Sequence, residues 1–282
     1  MKTRNLLFAS LIAGTGLLAG CVEGEGYREA TVNVCNADTI VRLLGDDPSS
    51  PSCHIKLSFA YLNPYSEKDS ISEAVNYTLK QTFFGDLYAK LAPRTFVDTI
   101  ASSLIGDYRR DVLESYRTDV ENGVIPENMP KWYNYDFRIT STLEKGRDSI
   151  WNYQVTTFQY TGGAHPNTWS KWVNIDALTG RPLEKDETFA TADKAEIRRL
   201  ILEKIIEATN ERLETDTVTS LEGLHANGVL LDEDVFIPEN FLLKDYEVTF
   251  LYNPYEIAPY YMGQFELHIP NDEILPYLNA KQ

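Results

Sequence analysis

Four groups of residues carry side chains that could bind or react. The first is His165, which follows two glycines in Thr161-Gly162-Gly163-Ala164-His165-Pro166. Glycines permit a positive φ or close backbone approach, and Pro166 stiffens the exit, so the imidazole is well placed to bind. A metal ligand would need a second His or carboxylate at helical or turn spacing. No His-Glu-x-x-His or Cys-x-x-Cys occurs, so no metal site is expected. The alternative is a structural histidine bonded to a backbone carbonyl where a hairpin ends. The second group is the run Asn253 to Gly263, with Tyr255, Glu256, Pro259, Tyr260 and Tyr261 as binding candidates. Prolines lower the cost of ordering such a loop, and tyrosines are amphipathic groups of the kind that dominate interfaces. Its alternative is a strand connection whose aromatics fill the core. The third group is acidic. Asp232-Glu233-Asp234 lacks the spacing of a calcium loop, and Asp98, Asp107, Asp111, Glu114 and Asp119 read as the wet face of one helix. No Gly-x-Ser-x-Gly elbow or phosphate loop appears. No catalytic residue and no cofactor are therefore expected.

The fourth group is the three cysteines. Cys21 ends Leu17-Leu18-Ala19-Gly20-Cys21, which has the form of a lipobox: small residues admit the peptide to a protease, and the thiol accepts a diacylglycerol. Lys2 and Arg4 precede an uncharged apolar run, Leu6 to Ala19. That run is too short to span a bilayer, which takes about 20 residues, and it suits a signal peptide. Residues 1–20 are expected to be a lipoprotein signal peptide, with Cys21 lipidated by palmitate-type chains and residues 21–30 a polar tether. The expected location is the cell envelope, anchored by lipid on the periplasmic or cell-surface side of the outer membrane. In that oxidising setting Cys35 and Cys53 are expected to form a disulfide, stabilising by roughly 3 kcal/mol. Two free buried thiols are the alternative.

The chain carries a formal charge of −16. Losing Lys2 and Arg4 with the leader leaves 24 Lys plus Arg against 42 Asp plus Glu, or −18. Such a surface repels phosphate backbones, so no nucleic-acid partner is expected, and it attracts cationic ones.

These groups need elements to hold them. Thr31–Val34 and His54–Leu62 alternate as strands do. Ser70-Ile71-Ser72-Glu73 reads as a capping box opening a helix with an apolar stripe from Ile71 to Leu91, ended by Pro93. A second helix runs from near Thr95 to Asn122-Gly123 and Pro126. A hairpin follows, around Lys145-Gly146-Arg147-Asp148. Trp169–Ile175 is a strand, and Asp193–Leu213 a helix with a second capping pattern. Tyr246–Tyr252 and Gln264–Ile269 are strands, and Asp272–Leu278 a short helix. Helices and antiparallel strands in separate runs predict an α+β fold of two small domains, each an antiparallel sheet packed by helices.

Gly162-Gly163-Ala164-His165, Asn174-Ile175-Asp176, Thr179-Gly180 and Tyr255-Glu256-Ile257-Ala258-Pro259-Tyr260 resemble the paired families DUF4163 and DUF3298. The resemblance implies a DUF4163-like domain over 31–163 and a DUF3298-like domain over 164–282. Relatives implied by it include a peptidoglycan deacetylase, whose catalytic domain has no counterpart in these residues, and the lysozyme-binding ectodomain of an anti-sigma factor. The function expected is a non-catalytic binding module for a wall-active cationic protein such as lysozyme. A peptidoglycan or polysaccharide module, using Trp169 or Trp172, and a hydrolase with an unrecognised site are the alternatives.

Overall fold

The computed structural model describes residues 30–65, 69–124, 128–189, 191–231 and 234–279. Cys21, Pro126, Asp232 and Glu233 lie outside them. The fold is α+β. Strands β1 (Thr31–Arg42), β2 (Ser52–Asn63), β3 (Tyr135–Lys145), β4 (Ile150–Tyr160) and β5 (Asn167–Asp176) form one sheet in sequence order. Strands β6 (Asn240–Leu243), β7 (Glu247–Tyr252) and β8 (Phe265–Pro270) form a second. The chain divides into two compact units, 1–141 with 156–167 and 142–155 with 168–282. The second takes in the turn of the β3–β4 hairpin and resumes at Thr168.

In the first unit β1 and β2 are antiparallel, from Thr31 opposite Asn63 to Arg42 opposite Ser52. β2 then pairs with β3 in parallel, an exception to the antiparallel expectation. Helices α1 (Ser70–Phe84), α2 (Asp86–Ala89) and α3 (Pro93–Glu121) follow β2 in the chain. Val75 and Leu79 of α1 and Phe96, Val97, Ile100, Tyr108, Val112 and Tyr116 of α3 are buried, as their spacing predicts. Phe59 of β2 meets Phe96 with ring centroids 4.6 Å apart.

Three local expectations are corrected here. The cap of α1 is Asp69, not Ser70: its Oδ1 accepts from Ser72 N at 3.1 Å and its Oδ2 from Tyr65 N at 3.2 Å. A carboxylate one residue earlier satisfies the orphan amides better than the hydroxyl. The helix stops at Gly85 (φ +88), which throws Leu87 into solvent, and Pro93 opens the next helix rather than closing this one. The disulfide is absent: Cys35 and Cys53 are free and buried. Cys35 lies opposite Phe59 and Cys53 opposite Val41. The thiols are thus six positions apart along the hairpin, about 20 Å at ~3.3 Å per residue, whereas a disulfide needs Cα atoms within about 7 Å. The turn is tied by hydrogen bonds instead. Leu43 N donates to Pro51 O at 2.9 Å, and Asp47 Oδ1 accepts from Ser49 N at 2.9 Å.

In the second unit helix α5 (Lys194–Leu213) packs on β8. Its Ile197, Leu200, Ile201 and Ile205 join Phe250, Phe265, Leu267 and Ile269 in one core. Asp193 precedes α5 but makes no side-chain cap bond, so that capping pattern is not used. Helices α4 (Lys185–Thr188), α6 (Leu221–Ala226) and α7 (Asn271–Ile274) are short. β6 pairs antiparallel with β7, and β7 with β8.

Candidate functional site

The link from β7 to β8, Asn253 to Gly263, is a built loop. Tyr252, the last residue of β7, is fully buried and its hydroxyl donates to Phe236 O. Burial pushes this phenol far above its usual range, so it is a neutral anchor. Glu256 closes the first turn: its carboxylate accepts from Asn253 N at 2.8 Å, and its own N donates to Asn253 O at 3.1 Å. Tyr255 sits inside that turn at φ +71, a conformation uncommon for a residue with a Cβ. Its N donates to Ala258 O at 3.1 Å. Ile257 and Ala258 are buried, and Ile257 O accepts from Leu230 N at 2.6 Å. Arg212 of α5 holds the far end, donating to Met262 O at 3.1 Å and Gln264 O at 2.6 Å, with its guanidinium 4.0 Å over the Phe265 ring.

The loop does plug the core, but with aliphatic residues and a methionine, not with its tyrosines. Ile257, Ala258 and Met262 fill core. Tyr255 is 63% exposed and Tyr261 76%. Tyr260 is half-buried and stacks on Tyr255 with centroids 5.7 Å apart. Beside them lies a shallow concavity of about 340 Å³, bordered by Gly228, Leu230, Leu231, Tyr255, Glu256 and Pro259. Leu231 is exposed, so aromatic and aliphatic surface meet water here with Glu256 at the edge.

A polar network that the sequence did not reveal fixes the loop to β5. Asn253 Oδ1 accepts from Ser170 N at 2.7 Å and its Nδ2 donates to Ser170 O at 2.9 Å. Gln264 Nε2 donates to Asn253 Oδ1 at 3.0 Å. Asn240 Oδ1 accepts from Trp172 N at 2.8 Å. Asn174 Oδ1 accepts from Leu243 N at 2.8 Å and Nδ2 donates to Phe241 O at 2.9 Å. Three asparagines thus do for β5 what a backbone ladder would do. The only signal was Asn in strand-like surroundings, where a side-chain amide can copy a peptide.

His165 belongs to the first unit, is exposed, and has Nδ1 2.8 Å from Pro166 O, the backbone bond of its alternative reading. Trp172 is only 7% exposed and packs with Leu242 and Leu251, so it cannot present a ring to a glycan, whereas Trp169 is partly exposed. The acidic face of α3 is wet, and Asp98 pairs with Arg94 and Asp107 with Arg110. Among the described residues no group of three His, Cys, Asp or Glu side chains converges on a metal position. No helix of the described residues is long and apolar enough to cross a membrane.

Residues 184–272 match the family model described as "Protein of unknown function (DUF3298)". The chain carries a DUF3298 domain. The domain takes in the whole tyrosine loop. A solved member of the DUF3298 family from Bacteroides fragilis aligns with TM-score 0.77 and 26% identity, over 89% of this chain and 94% of that one. A DUF3298 family protein from Pseudomonas aeruginosa aligns with TM-score 0.50 and 15% identity, over 88% and 94%, a likeness of fold. Among curated proteins, the chain is 27% identical over 119 residues to an esterase of Mycobacterium tuberculosis, which is 42% of this chain and 48% of that protein. The chain thus spans about half the length of the curated relative it matches.

Proposed function

We propose that this protein is a lipid-anchored binding module of the cell envelope, with an N-terminal DUF4163-like domain, and that its DUF3298 domain captures a cationic wall-active protein such as lysozyme through the tyrosine loop. The observation that carries this reading is that Tyr255 and Tyr261 face solvent from a turn tied by Glu256, Asn253 and Arg212. Exposed aromatics on a loop already ordered lose little entropy on binding, which is what makes hot spots. The net charge of −16 would steer a basic partner. Calorimetric titration with a c-type lysozyme, at low and moderate salt, tests it. Binding at both salts, weakened at least tenfold by Tyr255→Ala or Tyr261→Ala, is expected. Binding only at low salt means charge attraction alone, and no binding moves a peptidoglycan or polysaccharide ligand to first place.

The similarity to the mycobacterial esterase favours a second reading, a hydrolase. Hydrolysis of a p-nitrophenyl ester that His165→Ala abolishes without unfolding the protein would replace the binding role. His165 is the histidine to test because it is exposed and lies between two glycines and a proline.

A further inference from the structure

The first unit holds a cleft of about 780 Å³ that the tyrosine loop does not share. Phe59 and Tyr61 of β2 form one wall, with rings stacked at 8°. Val34 to Asn36 of β1, Tyr77 and Lys80 of α1 and the segment from Ala89 to Arg94 complete most of the lining. Lys80 is only 5% exposed. Its ammonium has three donors, and among the described residues it donates to Leu91 O at 2.5 Å. No carboxylate of the described residues lies within ion-pair distance of it; Arg94, by contrast, is paired with Asp98. Glu73 lines the cleft from an exposed position.

A buried cation with spare donors beside an aromatic wall suits an anion that brings its own apolar body. The volume lies within the range of about 300–1,000 Å³ usual for small-molecule sites. Lys90 and Arg94 also line the cleft, but Lys90 is exposed and Arg94 is paired with Asp98, so Lys80 is the buried cation left for a head group, and one such cation suits a single carboxylate better than a phosphate, which wants several converging donors. We propose that this cleft binds an acyl carboxylate, with its head group on Lys80 and its chain along Phe59, Tyr61 and Tyr77. Desolvation holds the Lys80 pKa below the ordinary lysine value, and a bound carboxylate would compensate that buried charge.

The test is calorimetric titration of the full protein with decanoate, below its micellar concentration, beside decan-1-ol of equal chain length. Saturable decanoate binding at least tenfold tighter than decan-1-ol is expected. Lys80→Met should remove that tenfold preference while leaving decan-1-ol binding within twofold. Equal affinity for acid and alcohol, no saturable binding of decanoate, or an undiminished preference in Lys80→Met overturns the proposal. Should Lys80→Met not fold, the acid–alcohol comparison on the unaltered protein still decides. Ala92→Trp, at an exposed position of the lining, should then abolish both, and retained decanoate binding in it overturns the placement.

Discussion

Asn253 pairs with Ser170 as a neighbouring strand would, accepting from Ser170 N at 2.7 Å and donating to Ser170 O at 2.9 Å. One side-chain amide thus satisfies both backbone groups of a buried residue and locks the root of the tyrosine loop. Removing it takes away two buried hydrogen bonds, worth about 0.5–1.5 kcal/mol each, while Ser170 O still accepts from Asn240 Nδ2 at 3.2 Å. Asn253→Ala is expected to lower stability by about 2 kcal/mol, read by thermal or urea denaturation. Asn253→Asp keeps the acceptor but sets a carboxylate oxygen against Ser170 O and the Glu256 carboxylate, so it should lose at least as much. A neutral Asn253→Ala would mean that the clamp is ornamental.

The left-handed backbone of Tyr255 gives a prediction that separates conformation from contact. A non-glycine residue at φ +71 is strained by about 1 kcal/mol relative to glycine. Tyr255→Gly and Tyr255→Ala both lose the stack on Tyr260. Tyr255→Gly should nevertheless be more stable than Tyr255→Ala by about 1 kcal/mol in equilibrium denaturation. Equal stability of the two would show that the turn relaxes when the ring is gone.

Periodicity made the helices legible because burial there is one-sided: the α3 stripe from Phe96 to Tyr116 and the α5 stripe from Ile197 to Ile205 are buried as spaced. β6 was not legible. Its Asn240-Phe241-Leu242-Leu243 is four residues long and buried throughout, so no alternation marks it. The tyrosine loop could be read as a binding candidate, but which tyrosines face water could not, because Ile257 and Ala258 plug the core between them. The disulfide failed for a reason of register. Sequence separation put Cys35 and Cys53 at the ends of a turn-rich segment, while the pairing of β1 with β2 extends well past Val34 and carries the thiols apart. The Lys80 cleft has no motif at all, since its residues come from β1, β2, α1 and the α3 start.

Gly162 explains half of the Gly-Gly-Ala-His stretch. It has φ +84, and a Cβ there would lie 2.3 Å from Trp132 O and 2.8 Å from Trp132 Cβ. Gly163 has ordinary space, its nearest neighbour being His165 O at 3.8 Å. Gly162→Ala must therefore displace backbone, and a loss of about 2 kcal/mol or more is expected. Gly163→Ala should stay within about 0.5 kcal/mol. Comparable losses at the two positions in urea melts would mean that the motif is held by something other than Trp132.

The thiols themselves give the last prediction. With no bond between Cys35 and Cys53, dithiothreitol should leave the melting temperature unchanged, whereas a disulfide-stapled hairpin would lose several degrees. Alkylation should label both peptides after denaturation and should leave Cys53, which is fully buried, unlabelled before it. Burial raises the pKa of Cys53 from 9.0 to about 12, with the Asp136 charge adding to the effect. Below pH 9 the thiol is protonated in both states and contributes no slope. Between about pH 9 and 12 the unfolded thiol ionises while the folded one keeps its proton, so stability falls as pH rises. Tyr108 and Tyr135, also raised by burial, steepen the fall in the same window. Cys53→Ala should flatten that alkaline slope relative to the unaltered protein. An identical slope in the variant would mean that Cys53 ionises as readily folded as unfolded, and that its burial between β1 and β3 is not maintained in solution.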